Sequence, residues 1–88
     1  MIYVFQGGDE LVKLNIDRIE KRFEIATMNT NYRFIPQPFW KLFGDKKEDK
    51  EGAIREMAEM ELLNDKDFEK KLIQDFAKNG YKLIKKTG

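Results

Sequence analysis

The chain contains no cysteine and no histidine among its 88 residues. The absence of cysteine excludes disulfides, zinc-thiolate sites and thiol nucleophiles. The absence of histidine removes the commonest general base and the commonest metal ligand, so only carboxylates, lysines and tyrosines remain for proton chemistry. We therefore expect a protein that is not an enzyme and that has no catalytic residues, no metal site and no cofactor.

The sequence also lacks a long apolar run, and its start, MIYVFQGG, has neither a basic n-region nor an h-region. It predicts neither a membrane span nor a signal peptide, and we expect a cytoplasmic protein. Only two prolines and six glycines occur, and hydrophobic residues (41%) slightly outnumber charged ones (38%). This balance is typical of a globular chain, and the length predicts a single α+β domain over 1–88.

The net charge of +1 conceals an uneven distribution along the chain. Residues 45–65 carry four basic and eight acidic groups, whereas residues 66–88 carry seven basic and three acidic groups. The basic end could attract an anion, and the acidic middle would repel one.

The aromatic residues are concentrated in one stretch, residues 31–44, which also holds both prolines and the only tryptophan. An aromatic side chain buries on the order of 150–250 Å², so this stretch can supply much of the core of a small domain. The same residue types are also the commonest hot spots for protein partners. The candidate partner-binding residues are Tyr32, Phe34, Phe39, Trp40 and Phe43.

Hydrophobic spacing in the first part of the chain predicts strands and turns. Residues 2–5 form a short apolar run that ends at Gly7-Gly8, as in a strand followed by a turn. Residues 23–28 and 32–35 alternate on either side of the turn-forming residues Asn29-Thr30-Asn31 and predict a hairpin.

The second part of the chain has helical spacing. Pro38 predicts a short helical turn that Gly44 ends. The highly charged stretch that follows is interpreted as a solvated linker or a helix start. Further helices are predicted over residues 53–63 and from Phe68 to Asn79-Gly80, and a last strand is predicted over 81–84.

Residues 10–22 have two interpretations. Val12, Ile16 and Ile19 have the spacing of one helical face, whereas Val12, Leu14 and Ile16 alternate as a strand would. A strand requires a hairpin turn near residues 17–21, where no glycine, asparagine or proline occurs, so we prefer the helix. The helix predicts a ferredoxin-like βαββαβ fold with a helical insertion after the third strand. The strand predicts an N-terminal antiparallel β-meander packed by C-terminal helices, and both are α+β.

Two functional hypotheses follow from the aromatic residues. The first is a small non-enzymatic intracellular interaction module that binds a protein partner, or a second copy of itself, through the aromatic surface. In this hypothesis Trp40 lies at the centre of the core or of a dimer contact. The alternative is single-stranded nucleic-acid binding on a sheet face formed by Tyr3, Phe5, Tyr32 and Phe34. We expect no tight oligonucleotide binding, because the acidic middle offsets the basic end.

Overall fold

The computed structural model describes residues 1–28, 33–44 and 46–88. Five strands form one antiparallel sheet in the spatial order β4-β3-β2-β1-β5, with one short 3-10 helix and two α-helices. The elements are β1 Ile2–Gly7, β2 Glu10–Asp17, β3 Arg22–Met28, β4 Phe34–Gln37, the 3-10 helix Phe39–Leu42, α1 Lys47–Glu61, α2 Asp65–Lys78 and β5 Lys82–Thr87. The class is α+β, and the order of elements is the β-meander packed by C-terminal helices.

The ferredoxin-like order is wrong, because Glu10–Asp17 is a strand and not a helix. The turn that the sequence appeared to lack is built by Asp17. Its Oδ1 accepts hydrogen bonds from the backbone N–H groups of Ile19 and Glu20, both at 3.1 Å. Lys21 then adopts the left-handed conformation at φ 56°. An Asp side chain can close a turn in this way, since it replaces the backbone acceptor.

The predicted turn at Gly7-Gly8 is confirmed and links β1 to β2. Gly8 has φ 59°, a region in which glycine carries no steric penalty. Gly7 is required for another reason, because a Cβ there would lie 2.6 Å from the ring of Tyr81. The β1–β2 hairpin therefore depends on Gly8, and the packing of Tyr81 against the end of β1 depends on Gly7.

One face of the sheet packs against the helices and forms the core. Its buried side chains alternate along β1, β2 and β3 as a half-buried strand requires. The aromatic rings of Phe5 on β1 and Phe76 on α2 stack with their centroids 4.1 Å apart. The buried core cluster comprises Tyr3, Phe5, Val12, Leu14, Ile16, Ile25, Met57, Met60, Phe68, Leu72 and Phe76.

Both α-helices begin with side-chain caps. The Asn64 side chain accepts a hydrogen bond from the backbone N–H of Asp67 at 2.8 Å, and Asp49 accepts one from the backbone N–H of Lys46 at the same distance. The predicted face of α2 is confirmed, and the helix ends before Gly80 at φ 85°. The charged stretch after Asp45 is a helix start, since α1 already begins at Lys47.

Candidate functional site

The described members of the predicted partner-binding set do not form one surface. Phe39 and Phe43 are partly buried and pack against the core cluster. Trp40 is half-buried, with its ring edge-to-face on Phe39 at 5.4 Å and the Lys50 ammonium 5.2 Å from its centroid. Phe34 lies on β4, and Tyr32 lies outside the described residues. The 3-10 helix thus directs part of its apolar surface to the core.

Trp40 is at the surface of the 3-10 helix and not at the centre of the core. Trp40→Ala is expected to lower the free energy of unfolding by about 1–2 kcal/mol, because a half-buried ring loses only part of its contacts. A fully buried tryptophan would cost about 3–5 kcal/mol. Urea unfolding monitored by circular dichroism measures the difference. A loss in the upper range would contradict this placement.

The predicted four-aromatic sheet face is also wrong in part. Tyr3 and Phe5 point to the helices and are buried. The reason is the strand at residues 10–17: with no helix between β1 and β2, both α-helices come from the C-terminal half and pack on the face that carries these rings. Phe34 lies on the opposite face, because its partner Met28 alternates with the buried-face residues of β3.

The opposite face of the sheet is the main candidate site, and we call it the open face. Within the described ranges, both helices and the 3-10 helix pack on the core side, so none of these elements covers it. Alternation and strand register place these residues on it: Ile2, Val4, Gln6, Leu11, Lys13, Asn15, Asp17, Arg22, Glu24, Ala26, Met28, Phe34, Pro36, Lys82, Lys85 and Thr87.

The open face is mixed at its centre and apolar toward β4. Cross-strand register places Ala26, Lys13, Val4 and Lys85 in one row across the sheet. The neighbouring row contains Leu11 on β2, Met28 on β3 and Phe34 on β4. All the apolar members of the open face except Pro36 are half-buried. A contiguous apolar surface of this kind is typical of an interaction site.

The open face is also basic. It carries four basic residues, Lys13, Arg22, Lys82 and Lys85, and two acidic residues, Asp17 and Glu24. The three lysines take part in no ion pair among the described residues, whereas Lys71 and Lys86 on the helix side are both paired with carboxylates. The Lys13 ammonium instead lies 4.7 Å from the centroid of the Phe34 ring. The lysines therefore give this apolar surface a positive potential.

The two edges of the sheet are unsuited to accepting a further strand. The β4 edge contains Pro36, which has no N–H to donate. The β5 edge is rich in lysine and carries a register shift opposite Val4 and Phe5. Proline, lysine and bulges are the usual means by which edge strands avoid pairing. The face of the sheet, and not its edge, is the surface available to a partner.

A cleft of about 410 Å³ opens on the core side between the end of α2 and the 3-10 helix. Its polar side chains bind each other: the Tyr81 hydroxyl donates to Glu10 at 3.2 Å, and the Lys41 ammonium donates to Gln37 at 3.3 Å. Burial, together with the Glu10 carboxylate, raises the pKa of Tyr81 above its ordinary value, so its hydroxyl stays protonated at neutral pH. The cleft therefore offers a weaker argument for ligand binding than the open face.

Comparison of the chain with protein-family models, with curated proteins and with solved structures found no match in any of the three. In the part of the chain that the structure describes, no helix has the length and apolar character needed to span a membrane.

Proposed function

We propose that this protein is a non-enzymatic interaction module that binds an acidic, amphipathic segment of a partner protein on the open face. The observation that supports this is the combination of uncovered aliphatic side chains with three lysines that have no carboxylate partner among the described residues. A partner that places apolar side chains on Val4 and Leu11 would bring its carboxylates to the surrounding lysines. Burial would supply affinity, and the charges would supply orientation and on-rate.

A protein segment fits the open face better than a nucleic acid does. Bases stack on aromatic rings, but the surface consists mainly of Ile2, Val4, Leu11 and Met28, which are aliphatic. Phe34 is the aromatic residue that the described strands place there, and the Lys13 ammonium already lies over its ring. Tyr3 and Phe5, two of the four aromatic residues that the nucleic-acid alternative requires on the surface, are buried in the core.

A second copy of the chain is also a poor occupant of the open face. Two such faces packed together would bring the lysines of one copy against the lysines of the other, with only Asp17 and Glu24 on each side against four basic residues. Like charges brought together in an interface cost free energy. The charge of the surface therefore favours a partner with acidic residues.

The test uses a fluorescein-labelled synthetic helix of leucine and glutamate in amphipathic order, with the same helix carrying lysine for glutamate as its counterpart. We expect anisotropy to show binding of the acidic helix, binding that weakens as salt rises from about 50 to 200 mM, and at least about tenfold weaker binding of the basic helix. Lys13→Glu with Lys85→Glu should weaken binding of the acidic helix by about tenfold or more.

The matched control reverses two charges on the other side of the molecule, Lys66→Glu with Lys70→Glu, and should leave the affinity unchanged. Val4→Thr, which keeps the size of the side chain and removes its apolar character, should weaken binding about threefold to tenfold. Equal binding of the acidic and basic helices would overturn the proposal. Tight binding of oligo-dT without binding of the acidic helix would replace it with the nucleic-acid alternative.

A further inference from the structure

Two aliphatic side chains project into solvent at one corner of the molecule. Ile19, in the β2–β3 turn, is 95% exposed, and Leu62, which directly follows α1, is 87% exposed. A single exposed aliphatic residue is ordinary on a protein surface. Here the two belong to segments that are hydrogen-bonded to each other, which makes them one feature.

Arg18 holds the corner together. Its guanidinium donates to the backbone carbonyl of Glu61 at 3.1 Å, to the carbonyl of Leu63 and to the Asp65 carboxylate at 2.6 Å. These bonds flank Leu62 on both sides, and the donor is the residue before Ile19. The Asp17 turn fixes the other end of the loop. The backbone of both projecting residues is therefore organised before any partner arrives, which lowers the entropic cost of binding.

A groove of about 370 Å³ lies next to this corner. Its lining is apolar, with Phe23, Phe39, Ile54, Met57 and Ala58, and Lys21 and Glu61 are the charged residues beside it. The same two charged residues also line the depression beside Ile19 and Leu63. Ile54 on its wall is 54% exposed in the isolated chain. The two projecting residues and the groove are therefore adjacent, and Lys21 and Glu61 border both of them.

We propose that a second copy of this chain occupies the groove, in a twofold dimer in which Ile19 and Leu62 of each copy enter the groove of the other. A twofold interface requires one surface that carries both complementary halves side by side, as this corner does. The charged residues beside the groove are consistent with this twofold arrangement. Lys21 and Glu61 lie 3.8 Å apart within one chain, and across a twofold axis each Lys21 can face the Glu61 of the other copy.

The proposal is independent of the partner proposed for the open face. None of the corner residues belongs to the open face, so a dimer would leave two open faces free and could bind a partner with two acidic segments more tightly than a monomer would. The corner and groove form a small surface compared with standard interfaces, so we expect a weak dimer with Kd of about 10–100 µM.

Sedimentation equilibrium over about 5 µM to 1 mM tests the dimer, since this range brackets the expected Kd. We expect the mass to rise toward that of a dimer, and Ile19→Glu with Leu62→Glu to remain monomeric throughout. Both side chains are exposed, so the variant should melt within about 0.5 kcal/mol of the parent. Ile84→Glu, an exposed isoleucine on β5 away from the corner, is the matched control and should still dimerise.

A charge exchange gives a second, more specific measurement. Lys21→Glu alone should weaken the dimer by about tenfold, and adding Glu61→Lys should restore most of the affinity, because the exchanged pair is again complementary across the axis. A parent chain that stays monomeric at about 1 mM would overturn the proposal. A dimer that survives Ile19→Glu with Leu62→Glu would do the same. Binding of the acidic helix by that variant is measured separately, so failure of one proposal does not imply failure of the other.

Discussion

Replacing Phe5 with alanine is expected to lower the free energy of unfolding by about 3–5 kcal/mol. The side chain is completely buried on the central part of the sheet, and its ring stacks on Phe76 of α2 at 4.1 Å with an interplanar angle of 8°. The substitution leaves a cavity between the sheet and α2 that the surrounding side chains cannot fill. Since domains of this size are stable by only about 4–13 kcal/mol, a large fraction of the stability is lost.

Urea unfolding followed by circular dichroism measures this change, and Phe34→Ala provides the control. Phe34 is half-buried on the open face, with Lys13 over its ring, so its truncation should cost about 1–2 kcal/mol. Phe5→Leu, which retains most of the volume, should fall between the two variants. If Phe5→Ala and Phe34→Ala lost the same stability, the assignment of the two sheet faces would be incorrect.

The second large effect is expected for Arg18→Ala, which should lower the free energy of unfolding by about 2–4 kcal/mol. The side chain connects the β2–β3 turn to the segment between the two helices by donating to the carbonyls of Glu61 and Leu63. The guanidinium also lies 4.6 Å from the ring of the buried Phe68. Its loss leaves helix-end carbonyls without a donor and removes the contact with that ring.

The effect of Arg18→Ala has two sources, the hydrogen bonds to the carbonyls and the ion pair with Asp65, and substitution of Asp65 distinguishes them. Its side chain is 98% exposed, so its ion pair with Arg18 is screened by solvent and contributes little. We therefore expect Asp65→Asn to cost under about 1 kcal/mol, and Arg18→Lys to lose most of what Arg18→Ala loses, because an ammonium cannot replace the planar fork. Thermal and urea unfolding of the three variants provide the comparison. A loss for Asp65→Asn as large as that for Arg18→Ala would assign the effect to the ion pair.

The candidate surface could be predicted only in part. The aromatic pattern of the sequence indicates Phe34, which lies on the open face, but it equally indicates Phe39 and Phe43, which pack on the core. Lys13 and Lys85 belong to distant parts of the chain and become neighbours only because both flank Val4 in the sheet. No local pattern contains that register, so neither the basic character of the surface nor its uncovered state could be read from the sequence. Arg18 was missed for the same reason.

The local features of the sequence by themselves determined the α+β class, the glycine turn after β1, and the apolar face and end of α2. Each of these depends on residues within a few positions of one another: a left-handed glycine, a helical spacing from Phe68 to Phe76, and a C-terminal glycine. Only the tertiary structure decided the conformation of residues 10–17, because Val12 and Ile16 satisfy both a helical and a strand pattern. Pairing with β1 and β3 on both sides, and a turn closed by Asp17, favour the strand. That choice places both helices on one face, so that no helix of the described residues covers the other face.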